Sequence, residues 1–357
     1  MKDANDRTIA RDGQLIELGE TPEFPIVVKI VVGNGPISAI AATRDGSQLL
    51  VTNYADHSVS VIDAATCRVT GTIAGLGEPS AIAVGGRDSG HAYVRTATAA
   101  YDAVAVLDVA TRAVVASHPL AYSVSDLAVS PDGTQVYAGR NGAGVADVAV
   151  LDTTTGAVET VDLGVAPATT TECLRVSPDG AHLYVAAGGR LLVIETGPRS
   201  GHGGARVLGS VDIGLPIRDV ALSPNGALAY VLSSAPEAGA VIDVVDTRTR
   251  RIIGTRKLGE VTGVVTGLTL SGDGYRAYLV SADSVTVLCT LTQDVVGTVD
   301  VVHKPSCVVE SPDATHLYIA EYSGAVTVVP VASIVALGIE CAEWVIPELV
   351  ADVPALV

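Results

Sequence analysis

The chain has 357 residues, 48% of them hydrophobic and 17% charged, which is enough to bury a large core. Its formal net charge is -17, with 22 basic against 39 acidic residues, so phosphate backbones and anionic lipid surfaces would repel it. We therefore expect no nucleic acid partner and, because no run of about 18 apolar residues occurs, no membrane insertion.

The five cysteines bear on the compartment. Their number is odd and none forms a Cys-x-x-Cys pair, which argues against a disulfide framework and against a zinc site. They are Cys67, Cys173, Cys289, Cys307 and Cys341. Free thiols fit a reducing compartment, so the chain as given is predicted to be cytoplasmic, with the mature form of an exported protein as the alternative. The abundance of alanine, valine and arginine is typical of a GC-rich bacterial genome.

Residues 1–25 are predicted to form an N-terminal arm. Residues 1–12 are largely polar, and we expect them to be disordered or loosely attached. Residues 14–19 have the character of a short strand, but Pro22 and Pro25 prevent its continuation as a central strand.

One turn recurs seven times along the rest of the chain, at intervals of 40 to 48 residues. Its clearest copies read Ser-Pro-Asp-Gly, in which proline presets the first corner and glycine accepts a positive φ. The seven copies begin at Thr43, Gly86, Ser130, Ser177, Ser223, Ser271 and Ser311. The flanking segments are rich in β-branched residues and tyrosine, as expected for strands. The period is that of a four-stranded blade, so the sequence predicts an all-β, seven-bladed β-propeller with antiparallel blades.

The last repeat lacks a fourth strand. It supplies three strands, up to residue 331, and nothing after it corresponds to the fourth strand that residues 295–299 provide in the repeat before. The missing strand is present at the other end of the chain, in the apolar residues 26–33. We therefore predict that an N-terminal strand completes the seventh blade and closes the ring, and that the propeller spans residues 26–331.

Residues 332–357 lie outside the period and form a C-terminal tail. Pro347 precedes a segment, residues 348–353, that is predicted to make a short helix with one apolar face. This face either packs on the side of the propeller or docks a protein partner or a second subunit.

The first repeat resembles a known family. Leu50-Val51-Thr52-Asn53 is followed by Val-Ser-Val-Ile-Asp and then by Thr-Gly-Thr-Ile. This pattern resembles the YVTN-repeat family of seven-bladed propellers over about residues 26–331. The resemblance implies the fold and leaves the activity open, because similar propellers include surface-layer proteins, lactonases, streptogramin lyases and the haem-carrying domain of nitrite reductase.

Candidate site residues lie where the first strands of the blades begin, because propellers bind ligands at the mouth of the central channel. Aligning the repeats places polar residues at one equivalent position, namely Ser38, Ser80, Ser125, Glu172, Arg218, Thr266 and Ser306. The next position holds Ala39, Ala81, Asp126, Cys173, Asp219, Gly267 and Cys307. Opposite charges therefore meet in blades three to five, where we expect Arg218 to be the central cation among three carboxylates.

Loops between second and third strands belong to the same face and add further candidates. The predicted ligand-binding residues are Asp126, Arg140, Glu172, Arg218, Asp219, His57, Glu321 and Tyr322. We find no Gly-x-Ser-x-Gly, His-Glu-x-x-His, Cys-x-x-Cys-His or EF-hand motif, so no cofactor and no metal are expected and no catalytic residue is assigned.

Three functions fit these features. The first is a propeller that binds a small molecule or peptide at the channel mouth, beside blades three to five, without established catalysis. The second is a hydrolase or lyase that acts on a lactone-like substrate at the same face. The third is a scaffold in a protein complex.

Overall fold

The computed structural model describes residues 9–11, 14–16, 28–86, 90–197, 204–261, 263–301 and 303–331. Its elements are 30 strands, numbered β1 to β30 in chain order. The first two, β1 (Ile9–Arg11) and β2 (Gln14–Ile16), pair antiparallel as a small sheet of their own. The two strands belong to no blade, so the expectation of a disordered or loosely attached arm over residues 1–12 stays a prediction. The Asp-Gly dipeptide between the two segments favours a two-residue hairpin and is the signal for this pairing.

The other strands form seven four-stranded antiparallel sheets, which are the blades. Blade 1 contains β4 (Ile37–Ala42), β5 (Gln48–Asn53), β6 (Ser58–Asp63) and β7 (Arg68–Ile73). Blade 2 contains β8 (Glu78–Val84), β9 (His91–Ala97), β10 (Asp102–Asp108) and β11 (Ala113–Leu120). Blade 3 contains β12 (Ser123–Val129), β13 (Gln135–Asn141), β14 (Ala146–Asp152) and β15 (Val158–Asp162). Blade 4 contains β16 (Thr171–Val176), β17 (His182–Ala187), β18 (Arg190–Glu195) and β19 (Arg206–Asp212).

Blade 5 contains β20 (Ile217–Leu222), β21 (Leu228–Ala235), β22 (Gly239–Asp246) and β23 (Arg251–Leu258). Blade 6 contains β24 (Gly267–Leu270), β25 (Arg276–Val280), β26 (Ser284–Cys289) and β27 (Val295–Asp300). Blade 7 contains β28 (Pro305–Glu310), β29 (His316–Glu321), β30 (Ala325–Pro330) and β3 (Val28–Val31). The first strand of each blade contacts the first strand of the next, and β28 contacts β4, so the ring is closed. The predicted seven-bladed fold is confirmed.

The N-terminal strand β3 completes blade 7, as predicted. It pairs antiparallel with β30, with Ile30 opposite Val326. The Ile30 side chain is buried in the apolar cluster shared by blades 7 and 1. Lys29 Nζ donates to Glu321 Oε2 at 2.9 Å, so an ion pair joins the closing strand to β29.

The core lies between neighbouring blades. The middle strands are buried along almost their whole length, so small polar residues such as Thr52, Ser58 and Ser60 are buried beside the apolar ones. The cluster between blades 1 and 2 includes Leu50, Val59, Val61, Val94, Ala105 and Leu107. Six second strands also bury a tyrosine, namely Tyr93, Tyr137, Tyr184, Tyr230, Tyr278 and Tyr318. The hydroxyl groups of Tyr184 and Tyr230 reach a threonine of the following blade, Thr247 and Thr290, so these side chains link blades by polar as well as apolar contact.

The recurring turns lie on the face opposite the channel mouth and also join blades. In blade 3, Ser130 Oγ donates to Asp132 Oδ1 at 2.6 Å and accepts the backbone N–H of Gln135 at 3.0 Å. At the blade 7 to blade 1 boundary, a Cβ on Gly46 would lie 3.2 Å from Pro312 Cδ. Gly46 has φ 70, so the turn of blade 1 requires a glycine for its backbone conformation. The lack of a side chain at Gly46 also lets the turn of blade 7 approach closely.

Four cysteines of the described residues, Cys67, Cys173, Cys289 and Cys307, are free thiols, as predicted. Cys341 and the predicted helix at 348–353 lie outside the described residues. Within the described ranges, no helix is long and apolar enough to cross a membrane.

The turn aspartates make the fold sensitive to acid. Hydrogen bonds from the hydroxyl groups of Ser311 and Thr315 lower the pKa of Asp313 to about 2. Threonine and serine hydroxyls lower the pKa of Asp45 and Asp179 in the same way. Since these folded pKa values lie below the unfolded value of about 3.9, the ionised carboxylates stabilise the fold fully above about pH 4. Their contribution is lost as the pH falls toward 2.

We therefore expect the free energy of unfolding to fall steeply between about pH 4 and pH 2, and we expect Asp313→Asn to flatten that fall. Asp300→Asn is a matched control, because the exposed Asp300 carboxylate accepts no hydrogen bond from the residues that the structure describes. Urea denaturation followed across this pH range tests the expectation. Equal slopes for the wild type and Asp313→Asn would contradict it.

Candidate functional site

The first strands of the seven blades surround a cavity of about 370 Å³ in the central channel. All fourteen residues of the two equivalent positions aligned in the sequence line this cavity. The repeat alignment therefore places these fourteen residues at the cavity, but it misses Arg175, which lines the cavity as well. Seven blades of unequal sequence surround one site, and its chemistry depends on where their polar residues stand.

A β-bulge in the first strand directs these side chains. The register of β4 against β5 shifts between Ile37 and Ile40, and five further first strands shift at the same place. A bulge leaves one residue unpaired and turns neighbouring side chains away from the regular sheet faces. In blade 1 the Thr52 hydroxyl accepts the N–H of Ala39 at 2.8 Å, which satisfies a backbone group that the bulge leaves without a strand partner.

Arg175 joins two carboxylates of different blades. Its Nη1 donates to Asp126 Oδ2 at 2.9 Å and its Nη2 to Asp219 Oδ1 at 2.5 Å. Each aspartate also accepts a backbone N–H from the following blade, Asp126 from Leu174 at 3.0 Å and Asp219 from Leu268 at 2.8 Å. This group, which we call the Arg175 clasp, ties blades 3, 4, 5 and 6 together below the channel mouth.

The electrostatics of the Arg175 clasp favour the charged form of the arginine and act against that of Asp219. Burial opposes the Arg175 cation, but the two carboxylates outweigh it and raise the arginine pKa further above its usual value. Burial raises the pKa of Asp219, and the attraction of Arg175 opposes that shift. A third of the Arg175 side-chain surface, 33%, remains accessible from the channel.

Two thiols line the same cavity, and both stay protonated at neutral pH. Burial, with help from the neighbouring carboxylate of Asp219, raises the pKa of Cys173 well above its usual value. Burial raises the pKa of Cys307 to about 12. Because the thiolate is the nucleophilic form, neither cysteine is activated for covalent chemistry.

The expectation that Arg218 is the central cation is wrong. Arg218 is exposed and its Nε donates to Ser234 Oγ at 3.0 Å, while Arg175 holds the two aspartates. Arg175 lies on the middle one of the three blades, so its forked guanidinium reaches a carboxylate on either side. The sequence carried a signal for it, because Arg175 is the one charged residue at its position in the seven repeats. The equivalents are Ala41, Ala83, Ala128, Ala221, Thr269 and Val309.

Glu172 is also outside the Arg175 clasp. It is exposed, and its Oε1 accepts the Thr170 hydroxyl at 2.8 Å. Glu172 and Arg218 stand at equivalent positions of adjacent blades, and both line the cavity. Each has a neutral hydroxyl as its one side-chain partner among the described residues, so two opposite charges stand unpaired at the channel mouth. We call them the rim pair.

Four other predicted residues do not line the cavity. Arg140 is buried and makes a two-point ion pair with Asp147, at 2.7 and 2.9 Å. Glu321 is buried, and its carboxylate accepts hydrogen bonds from Lys29, Ser323 and Thr327. His57 and Tyr322 are exposed in the turns that follow β5 and β29. Arg140 and Glu321 therefore hold strands together.

The described residues contain no group of three or more histidine, cysteine or acidic side chains arranged to hold a metal ion. Above the Arg175 clasp, the described residues of the channel mouth supply hydroxyl groups, the carboxylate of Glu172 and the guanidinium of Arg218.

No protein-family model matches the sequence. The chain is 50% identical, over an alignment 390 positions long, to the seven-bladed β-propeller protein Rv1057 of Mycobacterium tuberculosis. The alignment covers 99% of both chains. Among solved structures, hydrazine synthase of Kuenenia stuttgartiensis is similar, with a TM-score of 0.71 and 24% identity over 85% of this chain and 98% of that chain. That likeness concerns the fold alone. The chain belongs to the family of seven-bladed β-propeller proteins.

Proposed function

We propose that this propeller binds a small polar molecule or a short peptide at the channel mouth, beside blades 4 and 5. The rim pair carries the proposal, because Glu172 and Arg218 line the cavity and lack charged partners among the described residues. The cavity volume of about 370 Å³ is within the usual range of ligand sites. The Arg175 clasp below holds the inner strands of both blades in place, which favours a preformed site.

Binding has more support than catalysis. No histidine is among the residues that line the cavity, and its two thiols are protonated at neutral pH. Asp126 and Asp219 are already engaged in the Arg175 clasp, so neither is free to act as a general base. A lactone hydrolase would be left with Glu172 as the one free carboxylate among the residues that line the cavity, since Arg140 and Glu321 are bound between strands.

We further propose that the propeller is of the YVTN type. The Thr and Asn of this motif have defined structural roles in blade 1. Thr52 binds the bulged residue Ala39 through both its N–H and its carbonyl group, and Asn53 Nδ2 donates to the hydroxyls of Ser58 and Ser60. The motif therefore shapes the strand that faces the channel.

Calorimetric titration with the common amino acids, short peptides and gluconolactone, after a thermal-shift screen of the same compounds, tests the proposal. For any compound that binds, Arg218→Ala is expected to weaken binding about tenfold or more, since a hydrogen bond to a charged group is worth about 1.5–3 kcal/mol. Arg190→Ala is the control, because Arg190 is exposed at the start of β18, outside the cavity. Unchanged binding in Arg218→Ala, or a ligand seen away from the channel in a crystal structure, would contradict the proposal.

A further inference from the structure

We infer that the ligand is a small zwitterion, an amino acid or dipeptide with a free ammonium and a free carboxylate group. This inference rests on the proposed function, since it concerns the same site. Its carboxylate binds Arg218 and its ammonium group binds Glu172.

The unused hydrogen-bonding capacity of the rim pair supports this assignment. Arg218 donates through Nε to Ser234, while its two terminal nitrogens have no acceptor among the described residues. Glu172 accepts one hydroxyl at Oε1, and its Oε2 has no described donor. A guanidinium fork matches a carboxylate in a two-point geometry, and a free carboxylate oxygen matches an ammonium donor.

The positions of the two residues suit one ligand that touches both. Glu172 and Arg218 occupy equivalent places on β16 and β20, which are neighbours around the ring. The two side chains make no ion pair with each other in the described structure. A zwitterion between them would give each charge its opposite, whereas a neutral ligand would desolvate both charges without compensation.

The charge of the whole wall excludes the simpler alternatives. Two guanidinium groups and three carboxylates line the cavity, so it carries one net negative charge. An anion bound by Arg218 alone would face the carboxylate of Glu172. A cation bound by Glu172 alone would face Arg218. A zwitterion meets neither repulsion when it is oriented as described.

The rest of the rim supplies neutral hydrogen-bonding groups. Ser38 of blade 1 and Thr266 of blade 6 line the cavity, and their side-chain hydroxyls have no hydrogen-bond partner among the described residues. They are placed to accept the peptide or side-chain portion of a ligand whose charged groups are held by blades 4 and 5.

A thermodynamic cycle that combines substitutions in the protein with blocked ends of the ligand tests the assignment. The probes are L-alanyl-L-alanine, its N-acetyl form and its C-terminal amide, and calorimetric titration measures their binding. In the wild type, acetylation and amidation should each weaken binding at least about tenfold. In Glu172→Gln, acetylation should cause little further loss, and in Arg218→Gln, amidation should cause little further loss. Arg190→Gln should behave as the wild type with all three probes.

Other outcomes separate this inference from the proposed function. If acetylation and amidation weaken binding by the same factors in the two variants as in the wild type, the rim pair does not contact the charged ends and the inference fails. If the dipeptide and the amino acids do not bind, while a neutral compound binds and is seen in the channel by crystallography, the zwitterion fails and channel binding stands. If no compound of the wider screen occupies the channel, both fail.

Discussion

Replacing Arg175 with methionine is expected to lower the free energy of unfolding by about 1–3 kcal/mol, since breaking a half-buried ion pair from one side leaves its partners uncompensated while solvent screens part of the charge. Asp126 and Asp219 would keep their bonds to the next blades but would lose the cation between them. Methionine retains most of the apolar stem, so the effect reports on charge more than on volume. Urea denaturation at pH 7 measures it.

The pH dependence of this variant identifies the cause. Without the cation, burial and repulsion by the Asp126 carboxylate would raise the folded pKa of Asp219 further above its unfolded value. A group with a raised folded pKa destabilises the fold at high pH, and protonation relieves this cost as the pH falls. The deficit of Arg175→Met relative to the wild type should therefore shrink between pH 7 and pH 5. Arg190→Met is the control, because Arg190 is exposed on the same blade. This variant should change the free energy of unfolding by less than about 0.5 kcal/mol. A deficit that is constant with pH would mean that lost packing is responsible.

Deleting residues 1–33 is expected to destabilise the propeller far more than deleting residues 1–12, and to promote aggregation. The longer deletion removes β3, exposes the edge of β30 and uncovers the cluster that contains Ile30. It also removes Lys29 from Glu321, whose side chain is only 1% exposed. Chemical denaturation and size-exclusion chromatography compare the two truncations, and equal stability would contradict closure through β3.

A point variant covers the case in which the longer truncation fails to fold. Lys29→Met removes the ion pair and leaves the strand. The expected loss is about 1 kcal/mol, because the Lys29 side chain is 40% exposed and solvent screens its charge. An unchanged free energy of unfolding would show that β3 closes the ring through its backbone and apolar contacts alone.

The fold could be predicted from the sequence because its determinants are local. Each Ser-Pro-Asp-Gly turn specifies its own conformation, and the period of the turns sets the size of the blade. Closure of the ring could be predicted because the last repeat lacks its fourth strand, and because the apolar residues 26–33 belong to no other blade. The Arg140–Asp147 pair was also within reach of sequence reasoning, since the two residues lie directly opposite each other on β13 and β14.

The pairing inside the channel was not predictable in the same way. Asp126 and Arg175 are far apart in the sequence. Asp126 and Asp219 also stand one residue after the position that Glu172 and Arg218 occupy in their own blades. The bulge decides which side chains point toward the mouth and which reach sideways to the next blade. The identity of the central cation depends on this direction, which the alignment of repeats does not contain.

The backbone bonds that Asp126 and Asp219 accept from the following blades make the cavity wall chemically uneven around the ring. At the equivalent position, Cys307 accepts the N–H of Ile40, but Ala39, Ala81 and Gly267 have no side-chain acceptor to offer. Blades 3 to 6 are therefore joined through charged groups in the cavity wall, whereas blades 1, 2 and 3 are joined outside it, where Tyr54 donates to Glu78 at 2.5 Å and Asp102 accepts the N–H of Val124 at 2.8 Å. The rim pair stands on the charged part of the wall, whereas Ser38 and Ser80 stand on its neutral part. A molecule that enters would meet charges on one side of the channel and neutral hydroxyl groups on the other.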